Sequence, residues 1–553
     1  MFTAVRQGRH WRAIFAATLI GLLFTGLVAA QETPPATESP AVPAPAAPPP
    51  GPAAAQTPAP PSFEQWIDAR FATFNELIGG ALFYKIYLGT GENAPVVPFA
   101  VGWLVFGAVF LTIKMSFISI RGFRHAIAVT SGRYDNKADA GEVSHFQALT
   151  TALSATVGLG NIAGVATAIA LGGPGACFWM IVAGFLGMTS KMAECTLGMQ
   201  YRQIRADGRV MGGAMYYLTE GLKDLKMGPL GLVLGYLFVL MCIGGSFAGG
   251  NSYQVNQSLG AVSQTIPFFA EHRWVYGLIM TILTGSVILG GLTMIARVAE
   301  KIVPLMCGMY ILMSLYVLAT NAAHIPAAFT EILTEAFHPD AVYGGAIGVL
   351  VVGFQRASFS NEAGVGSAAI AHSAAKTPYP VREGIVALLE PFIDTIIVCT
   401  MTALVIVITN SYDRGNPELA HLIAAKNGAA LTSKAFGSQA AIFPYLLSLI
   451  VFLFAYSTQI SWSYYGERCW AFLFGDHTSL VYRIIFLVFT FLGSVVTATQ
   501  MLDFGDLMIL GMAVPNLFGV MLLSGKIRKE LDAYWAKYRA GEFEPKAKSG
   551  AAE

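Results

Sequence analysis

The sequence predicts an all-α polytopic membrane protein, and three observations lead to this fold class. Of the 553 residues, 55% are hydrophobic and only 12% are charged, whereas soluble domains carry roughly 25% charged residues. Segments 146–190 and 227–270 contain no Asp, Glu, Lys or Arg, and each has room for two helices of about 20 apolar residues. These runs are continuous, whereas the strands of a membrane β-barrel would alternate. Soluble enzymes, nucleic-acid binders and disulfide-rich secreted proteins are therefore excluded.

The N-terminal region is predicted to be exported and unstructured. Residues 1–30 have the layout of a secretory signal peptide, with three arginines, an apolar stretch and a small-residue site ending at Ala30. An uncleaved anchor helix is the alternative. Segment 31–62 contains 12 of the 27 prolines together with many alanines, a composition typical of a disordered linker.

The rest of the chain predicts eleven membrane helices. One preliminary helix, near 94–113, precedes a basic cytoplasmic segment, and the two together make up 63–146. Two blocks of five helices follow, at 147–320 and 342–525. Their predicted spans are 147–171, 175–199, 229–257, 274–294, 299–320, 342–372, 382–409, 440–465, 481–499 and 504–524. The charged segment 526–553 is expected to be a cytoplasmic tail, helical to about Arg539.

Loop charges predict the orientation of these helices. Lysine and arginine accumulate in cytoplasmic loops, and positive loops here alternate with loops that are not positive, such as acidic 321–340. The N-terminus is therefore expected outside and the C-terminus in the cytoplasm, across a bacterial inner membrane.

Two glycine-interrupted segments are the most informative motifs. The first begins Ser154-Ala-Thr-Val-Gly-Leu-Gly-Asn161, and the second begins Ser360-Asn-Glu-Ala-Gly-Val-Gly-Ser367. Each lies in the first helix of its five-helix block, and the predicted topology makes the two helices run in opposite directions. This pattern is typical of an inverted repeat whose first and sixth core helices are broken around a midplane substrate site. The alternative interpretation is that the glycines only permit close helix packing.

A broken helix can bind ions and charged substrates. Two glycines in three residues weaken a helix by about 1 kcal/mol each relative to alanine. The amide groups that are freed can bind an anion, and the freed carbonyl groups can bind a cation.

Four longer motifs resemble the alanine/glycine:cation symporter family: 148–180, 359–372, 392–406 and 457–470. The resemblance extends over about 114–525. It implies a five-plus-five inverted-repeat fold of the amino acid–polyamine–organocation superfamily. It also implies sodium-coupled uptake of alanine, glycine or a similar small amino acid. More distantly, the first break resembles that of the neurotransmitter:sodium symporters.

The resemblance and helix-end chemistry together assign the substrate site. The N–H groups of Leu159 and Gly160 are expected to bind the substrate carboxylate, with Asn161 as a side-chain contact and Gly158 in the same substrate-binding segment. Thr458 and Trp462 lie four residues apart on one helical face, which the resemblance places in the pocket, where the indole would limit substrate size. Phe247 could close the pocket, with ordinary packing as the alternative.

The expected sodium ligands are hydroxyl and carbonyl oxygens. They are Ser154, the Val157 carbonyl, Ser457 and Thr458, with Thr156 at a position that resembles a sodium ligand of the more distant family. For Ser457, ordinary contact between helices is the alternative.

Intramembrane carboxylates are costly and usually carry function. Glu362, next to Asn361 in the second break, is expected to contact the substrate ammonium or a cation. Its alternative role is a structural pair with Arg356. Asp394 is expected to pair with Lys191 or to serve in gating. Glu390 departs from the family pattern, in which a small residue is usual.

The sequence thus predicts a symporter that imports small neutral amino acids by alternating access, with sodium as coupling ion and no cofactor. The six cysteines are interpreted as buried hydrophobic residues without a metal or disulfide role. The partners are the amino acid, sodium and the lipid bilayer, with no nucleic acid and no protein partner inferred. The alternatives are proton coupling, with Glu362 carrying the proton, or a non-transporting sensor. An enzyme is not expected, because the sequence contains no metal-ligand cluster, nucleophile elbow or nucleotide loop.

Overall fold

The structure is a computed structural model that describes residues 63–89, 96–136, 138–337, 345–424, 427–496 and 499–543. The predicted signal peptide and proline-rich linker lie outside these residues, as does the end of the tail.

The described residues are almost entirely helical, as predicted. In the first half of the chain the helices are α1 (Phe63–Leu82), α2 (Phe99–Lys114), α3 (Ile118–Arg121), α4 (Phe123–Thr130), α5 (His145–Thr156), α6 (Val165–Gly172), α7 (Gly175–Gln200), α8 (Ala214–Tyr216), α9 (Leu222–Asp224), α10 (Gly228–Phe247), α11 (Tyr253–Thr265), α12 (Phe268–Glu271), α13 (Arg273–Ile288), α14 (Gly291–Thr320) and α15 (Ile325–Glu335). In the second half they are α16 (Gly345–Asn361), α17 (Ala368–His372), α18 (Pro380–Ala387), α19 (Leu389–Pro391), α20 (Thr400–Ile408), α21 (Pro417–Ala424), α22 (Gly428–Gly437), α23 (Phe443–Phe474), α24 (Ser479–Val495) and α25 (Thr499–Arg539).

Several α-helices are continued by wider or tighter turns. The π-helical segments are Gly160–Gly164, Tyr217–Gly221, Ala248–Ser252 and Phe392–Cys399, and the 3-10 turns are Ala322–His324 and Asp476–Thr478. Two antiparallel pairs of short strands join the helices, β1 (Lys85–Tyr87) with β2 (Val96–Pro98) and β3 (Gln203–Ile204) with β4 (Val210–Met211).

In the part of the chain that the structure describes, seven helices are long and apolar enough to cross a membrane, or eight when the bent pair α5–α6 is taken as one span. Two shorter apolar helices, α2 and α13, coincide with predicted spans. A helix lies at each of the eleven predicted positions, but the number that crosses the membrane stays a prediction, as does the repeat arrangement. α25 ends at Arg539, where the helical tail was expected to end.

α1 is a helix that was not predicted from the sequence. It packs against the start of α25, since the Asn75 amide donates to the Gln500 carbonyl at 2.7 Å and the rings of Phe71 and Phe504 lie 5.1 Å apart.

The start of the first broken helix is fixed by a local hydrogen-bond pair. The Ser144 hydroxyl accepts from the Gln147 amide at 3.2 Å, while the Gln147 side chain accepts from the Ser144 amide at 3.1 Å. This reciprocal capping box satisfies two amides that the first helical turn leaves free. Just before it, Val143 forms a parallel bridge with Ala375. α5 therefore begins beside the chain that follows α17.

Candidate functional site

The first predicted break is present. α5 ends at Thr156, the π-helical turn starts at Gly160, and the two helical parts are bent by 50°. The Gly158 amide donates to Asn161 Oδ1 at 2.9 Å, and the Leu159 amide donates to Gln254 Oε1 at 3.3 Å. Side-chain oxygens therefore hold two amides of this break, and one of them, that of Leu159, was predicted to bind the substrate carboxylate.

The carbonyl groups beyond this break are also satisfied by side chains. The Thr402 hydroxyl donates to the Asn161 carbonyl at 2.8 Å, and the Thr432 hydroxyl donates to the Ile162 carbonyl at 3.2 Å. These bonds come from α20 and α22. They take the place of helical hydrogen bonds that the break removes, because water is not available to these carbonyl groups inside a membrane.

The second predicted break is also present, between the end of α16 at Asn361 and the start of α17 at Ala368. Glu362, Gly364 and Gly366 have φ values of 54°, 84° and 93°. This left-handed backbone is open to glycine and strained for glutamate. Asn361 closes the turn, because its Oδ1 accepts from the Ala363 amide at 2.9 Å.

The two breaks meet each other. A Cβ atom on Gly160 would lie 3.1 Å from Ser360 Cα, so the backbones are in direct contact. Asp394 joins them: Asn161 Nδ2 donates to its Oδ1 at 2.6 Å, and the Ser360 hydroxyl donates to its Oδ2 at 2.9 Å. Thr395 adds a third donor at 2.7 Å. Asp394 therefore links the two broken helices and does not form the predicted pair with Lys191.

Glu362 lies at the centre of the second break, with 2% of its surface exposed. Trp462 Nε1 donates to its Oε1 at 3.0 Å, and the Ser367 hydroxyl donates to its Oε2. The alternative pairing with Arg356 is wrong, since Arg356 Nη2 lies 2.8 Å from Asp506 Oδ2. The physical reason is helix geometry, because residues six apart lie on different faces of a helix with 3.6 residues per turn.

Thr458 and Trp462 lie beside the breaks on one face of α23, as predicted. A Cβ atom on Gly158 would come within 2.5 Å of Thr458 Oγ1, and this hydroxyl has no hydrogen-bond partner among the described residues. The Trp462 ring covers Gly250, where a Cβ atom would overlap it. A buried oxygen without a partner is rare, so Thr458 offers an oxygen ligand next to the first break.

The other predicted sodium ligands are only partly assembled. The Ser154 hydroxyl donates to the Ser457 carbonyl at 2.7 Å, which brings these two residues together. The Ser457 hydroxyl donates to the Phe454 carbonyl at 3.0 Å, and Thr156 donates to the Ala152 carbonyl at 3.3 Å. Both of these hydroxyls therefore bond within their own helices.

Phe247 lies in an aromatic cluster with α24, where its ring centroid is 4.9 Å from that of Phe489 and 5.3 Å from that of Tyr482. These contacts are those of the packing alternative.

Two polar residues of the site, Gln254 and Asn516, had no assigned role in the sequence prediction. Gln254 reaches the first break as described, and Asn516 Nδ2 donates to the Gly364 carbonyl of the second break at 2.8 Å. Asn361, which was predicted to bind the substrate, donates from Nδ2 to Thr395 Oγ1 at 2.8 Å. The sequence signal that could have identified these residues was a single amide or hydroxyl side chain within an apolar run, since a polar group in a membrane helix needs a partner.

Known proteins resemble this chain over most of its length. Residues 84–549 match the model of the sodium:alanine symporter family. The sodium/alanine symporter AgcS of Methanococcus maripaludis is 38% identical over 463 residues, which is 84% of this chain and 96% of the relative. The probable sodium/glutamine symporter GlnT of Bacillus subtilis is 34% identical over 441 residues, 79% of this chain and 88% of the relative.

A solved structure shares the fold. The crystal structure of MhsT in complex with L-phenylalanine superimposes with a TM-score of 0.50 over 73% of this chain and 96% of that chain, at 16% identity. The family predicted from the sequence motifs is confirmed, and the prediction of no enzyme holds because the family and the relatives are transporters. The chain belongs to the sodium:alanine symporter family and is a multi-pass membrane transport protein.

Proposed function

We propose that this protein imports alanine, glycine or a similar small neutral amino acid together with sodium, by alternating access. The observation that carries the proposal is the direct contact between two broken helices at Gly160 and Ser360. A buried carboxylate, Glu362, lies on one side of this contact, and a buried free hydroxyl, Thr458, lies near the other. Together they supply groups for the two ends of an amino acid and for a cation.

The substrate carboxylate binds at the first break. The amides of Gly158, Leu159 and Gly160 lie where the π-helical turn starts, and a helix start favours an anion. The Leu159 amide now bonds to the Gln254 side chain at 3.3 Å, so the carboxylate takes the place of that oxygen. Asn161 is held by Asp394 and keeps the turn in shape for this exchange.

The substrate ammonium binds near the second break, toward Glu362 and Asn361. The Trp462 indole donates to Glu362 and so fixes the carboxylate. The same ring fills the space over Gly250, which leaves room for only a small substrate side chain. Phe247 does not contribute to this part of the proposal.

Sodium binds between α5 and α23. Its ligands are the hydroxyls of Ser154, Ser457 and Thr458 and the Val157 carbonyl, with Thr156 as a further candidate. Thr458 has no hydrogen-bond partner among the described residues. The Ser154 and Ser457 hydroxyls donate their hydrogens to carbonyl groups, which leaves their oxygen lone pairs for the ion.

Alternating access follows from the break contacts. The broken helices α5–α6 and α16–α17 move against the remaining helices, and Asp394 keeps them together. In a bacterial inner membrane with the C-terminus in the cytoplasm, the entry of each sodium ion releases about 2.3 kcal/mol of free energy per 100 mV of membrane potential. That energy concentrates the substrate.

The test is alanine uptake into proteoliposomes that contain the purified protein, in sodium or choline buffer at the same pH. We expect uptake in sodium only, and a Thr458→Ala variant should need a severalfold higher sodium concentration for half-maximal uptake. Ser463→Ala is the matched control, because this buried hydroxyl on the same helix bonds to the Ile460 carbonyl at 2.7 Å. Uptake that depends on a proton gradient and not on sodium would contradict sodium coupling and would favour proton coupling through Glu362.

A further inference from the structure

A continuous chain of buried ionisable side chains connects α5 to α7. His145, at the start of α5, contacts Glu383, and the other oxygen of Glu383 lies 2.5 Å from His372 Nδ1. The chain goes on from His372 Nε2 to Glu390 Oε1 at 2.6 Å, and from Glu390 Oε2 to Lys191 Nζ at 3.2 Å. All five side chains are at most 1% exposed.

His372 at the middle of this chain requires an extra proton. A neutral imidazole has one N–H group, whereas both ring nitrogens of His372 face a carboxylate oxygen. An ionised carboxylate only accepts hydrogen bonds. The two hydrogen bonds together therefore need two protons, carried by the ring or by the carboxyl groups. A neutral ring supplies only one of them.

The charges of the chain balance when this proton is bound. Glu383 and Glu390 then face the positive His372 and the positive Lys191. Without the proton, two carboxylates would share one lysine in a fully buried site, and an unpaired buried charge is strongly destabilising. The sulfur of Cys195 lies within 4.8 Å of ligand atoms of both His372 and Glu390, a grouping that could hold a metal ion. We assign no metal ion to it, because the Lys191 ammonium already places a positive charge beside Glu390.

The chain extends to the second break. Glu194 Oε1 lies 4.0 Å from Lys191 Nζ, and Asn516 Nδ2 donates to Glu194 Oε2 at 3.0 Å. The same Asn516 nitrogen donates to the Gly364 carbonyl at 2.8 Å. One path of polar contacts therefore joins the start of the first broken helix to the backbone turn of the second.

Other titratable groups lie on the elements packed around His372. They are His145 on α5, Lys191, Glu194 and Cys195 on α7, Arg202 after α7, Arg382 and Glu383 on α18, Glu390 on α19, and Tyr465 on α23. Only His372 lies between two carboxylates that each contact one ring nitrogen, among the residues that the structure describes.

We infer that His372 is a positioning residue whose bound proton closes a polar link between the two broken helices, and that transport requires this link. This inference rests on the proposed function. Loss of the proton at alkaline pH leaves Glu383 and Glu390 without a common donor, so this side-chain link opens, whereas the Val143–Ala375 bridge and the Asp394 contacts remain. His372 does not contact the substrate.

The test is sodium-driven alanine uptake as a function of pH, with equal pH on both sides of the vesicle. We expect wild-type uptake to fall at alkaline pH. His372→Gln should lower uptake at neutral pH at least tenfold and remove the alkaline decline, because a glutamine amide carries both N–H donors on one nitrogen, does not span the two carboxylates as the imidazole ring does, and does not titrate. Glu390→Gln removes one of the two carboxylates that hold the proton, so the alkaline decline should move about 1 unit or more toward lower pH.

The matched control is His125→Gln. His125 is 2% exposed and bonds to the Tyr534 hydroxyl at 2.8 Å, and it is not part of the series of buried ionisable side chains from His145 to Lys191. Burial, with Arg382 and Arg133 nearby, lowers the pKa of His125 to about 4. This histidine is therefore neutral over the tested range, and its variant should keep the wild-type pH profile.

A second measurement does not depend on transport. In detergent, the apparent Tm of the wild type should exceed that of His372→Gln at neutral pH, and the difference should shrink as the pH rises because the proton is lost. If His372→Gln does not fold, the Glu390→Gln shift decides. An unshifted alkaline decline in both variants, or a Tm difference that is constant with pH, would overturn the inference. Absence of sodium-dependent uptake in the wild type would contradict the proposed function, and the Tm measurement would still decide the role of His372.

Discussion

The two breaks share a Gly-x-Gly pattern but need their glycines for different reasons. At the first break the glycines provide space, because a Cβ atom on Gly158 would overlap Thr458 and one on Gly160 would press on Ser360. At the second break they provide backbone freedom, since Gly364 and Gly366 have φ values of 84° and 93°. An identical motif therefore marks a close approach in one helix and a left-handed turn in the other.

The breaks also differ in charge. Apart from Asp394, which contacts both breaks, the partners of the first break are amides and hydroxyls, such as Gln254 and Thr402. The second break contains Glu362 and is linked through Asn516 to Glu194 and Lys191. This difference supports the proposed placement of the substrate carboxylate at the first break and of the substrate ammonium at the second.

The largest effect is expected where the two breaks touch. Gly160→Val should reduce sodium-driven alanine uptake to background, because its Cβ would lie 3.1 Å from Ser360 Cα and its two methyl groups have no room. Gly164→Val is the control in the same π-helical turn, where a Cβ atom would meet the Leu159 carbonyl oxygen at an ordinary contact distance of 3.9 Å. Uptake and the amount of folded protein are measured for both. Equal uptake by the two variants would contradict the contact.

A smaller effect is expected from alanine at the left-handed positions. At Gly364 alanine adds only the strain of a left-handed residue, about 1–2 kcal/mol, since its Cβ would meet the mobile ends of Leu104 and Leu517 at 3.3 Å. At Gly366 it adds the same strain and also overlaps Asn516 at 2.7 Å, which brings the cost to about 3 kcal/mol. The apparent Tm should fall more for Gly366→Ala than for Gly364→Ala. Equal losses in the two variants would show that Asn516 moves aside freely.

The sequence was sufficient to locate the breaks but not their partners. Glycine pairs are local signals, and α5 and α16 end at Thr156 and Asn361, next to the predicted motifs. Asp394 is 233 residues from Asn161, so its link between the breaks depends on how distant helices pack. Lys191 was named as its partner because both are charged, but tertiary packing places Lys191 next to Glu390.

Contacts between helices that are distant in the sequence could not be predicted from local composition. Phe247 has the aromatic character of a pocket residue, but only the position of α24 shows that it packs against Phe489. The helix α1 was missed because its sequence mixes charged and apolar residues, and its contact with α25 is what holds it. The family was predictable because its motifs span several consecutive turns.

The smallest effect tests space at the first break by complementation. Gly158→Ala should lower the apparent Tm by an amount that corresponds to about 1–3 kcal/mol, because its Cβ would lie 2.5 Å from Thr458 Oγ1. Adding Thr458→Ala removes that oxygen and should restore most of the loss. Adding Thr458→Val should not, since a methyl group replaces the oxygen at the same place. The Tm of each double variant is compared with that of the matching Thr458 single variant, in buffer without sodium, so that ion binding does not contribute. If neither Thr458→Ala nor Thr458→Val restores stability, the Gly158 position is limited by its backbone, and the two breaks would then need glycine for the same reason.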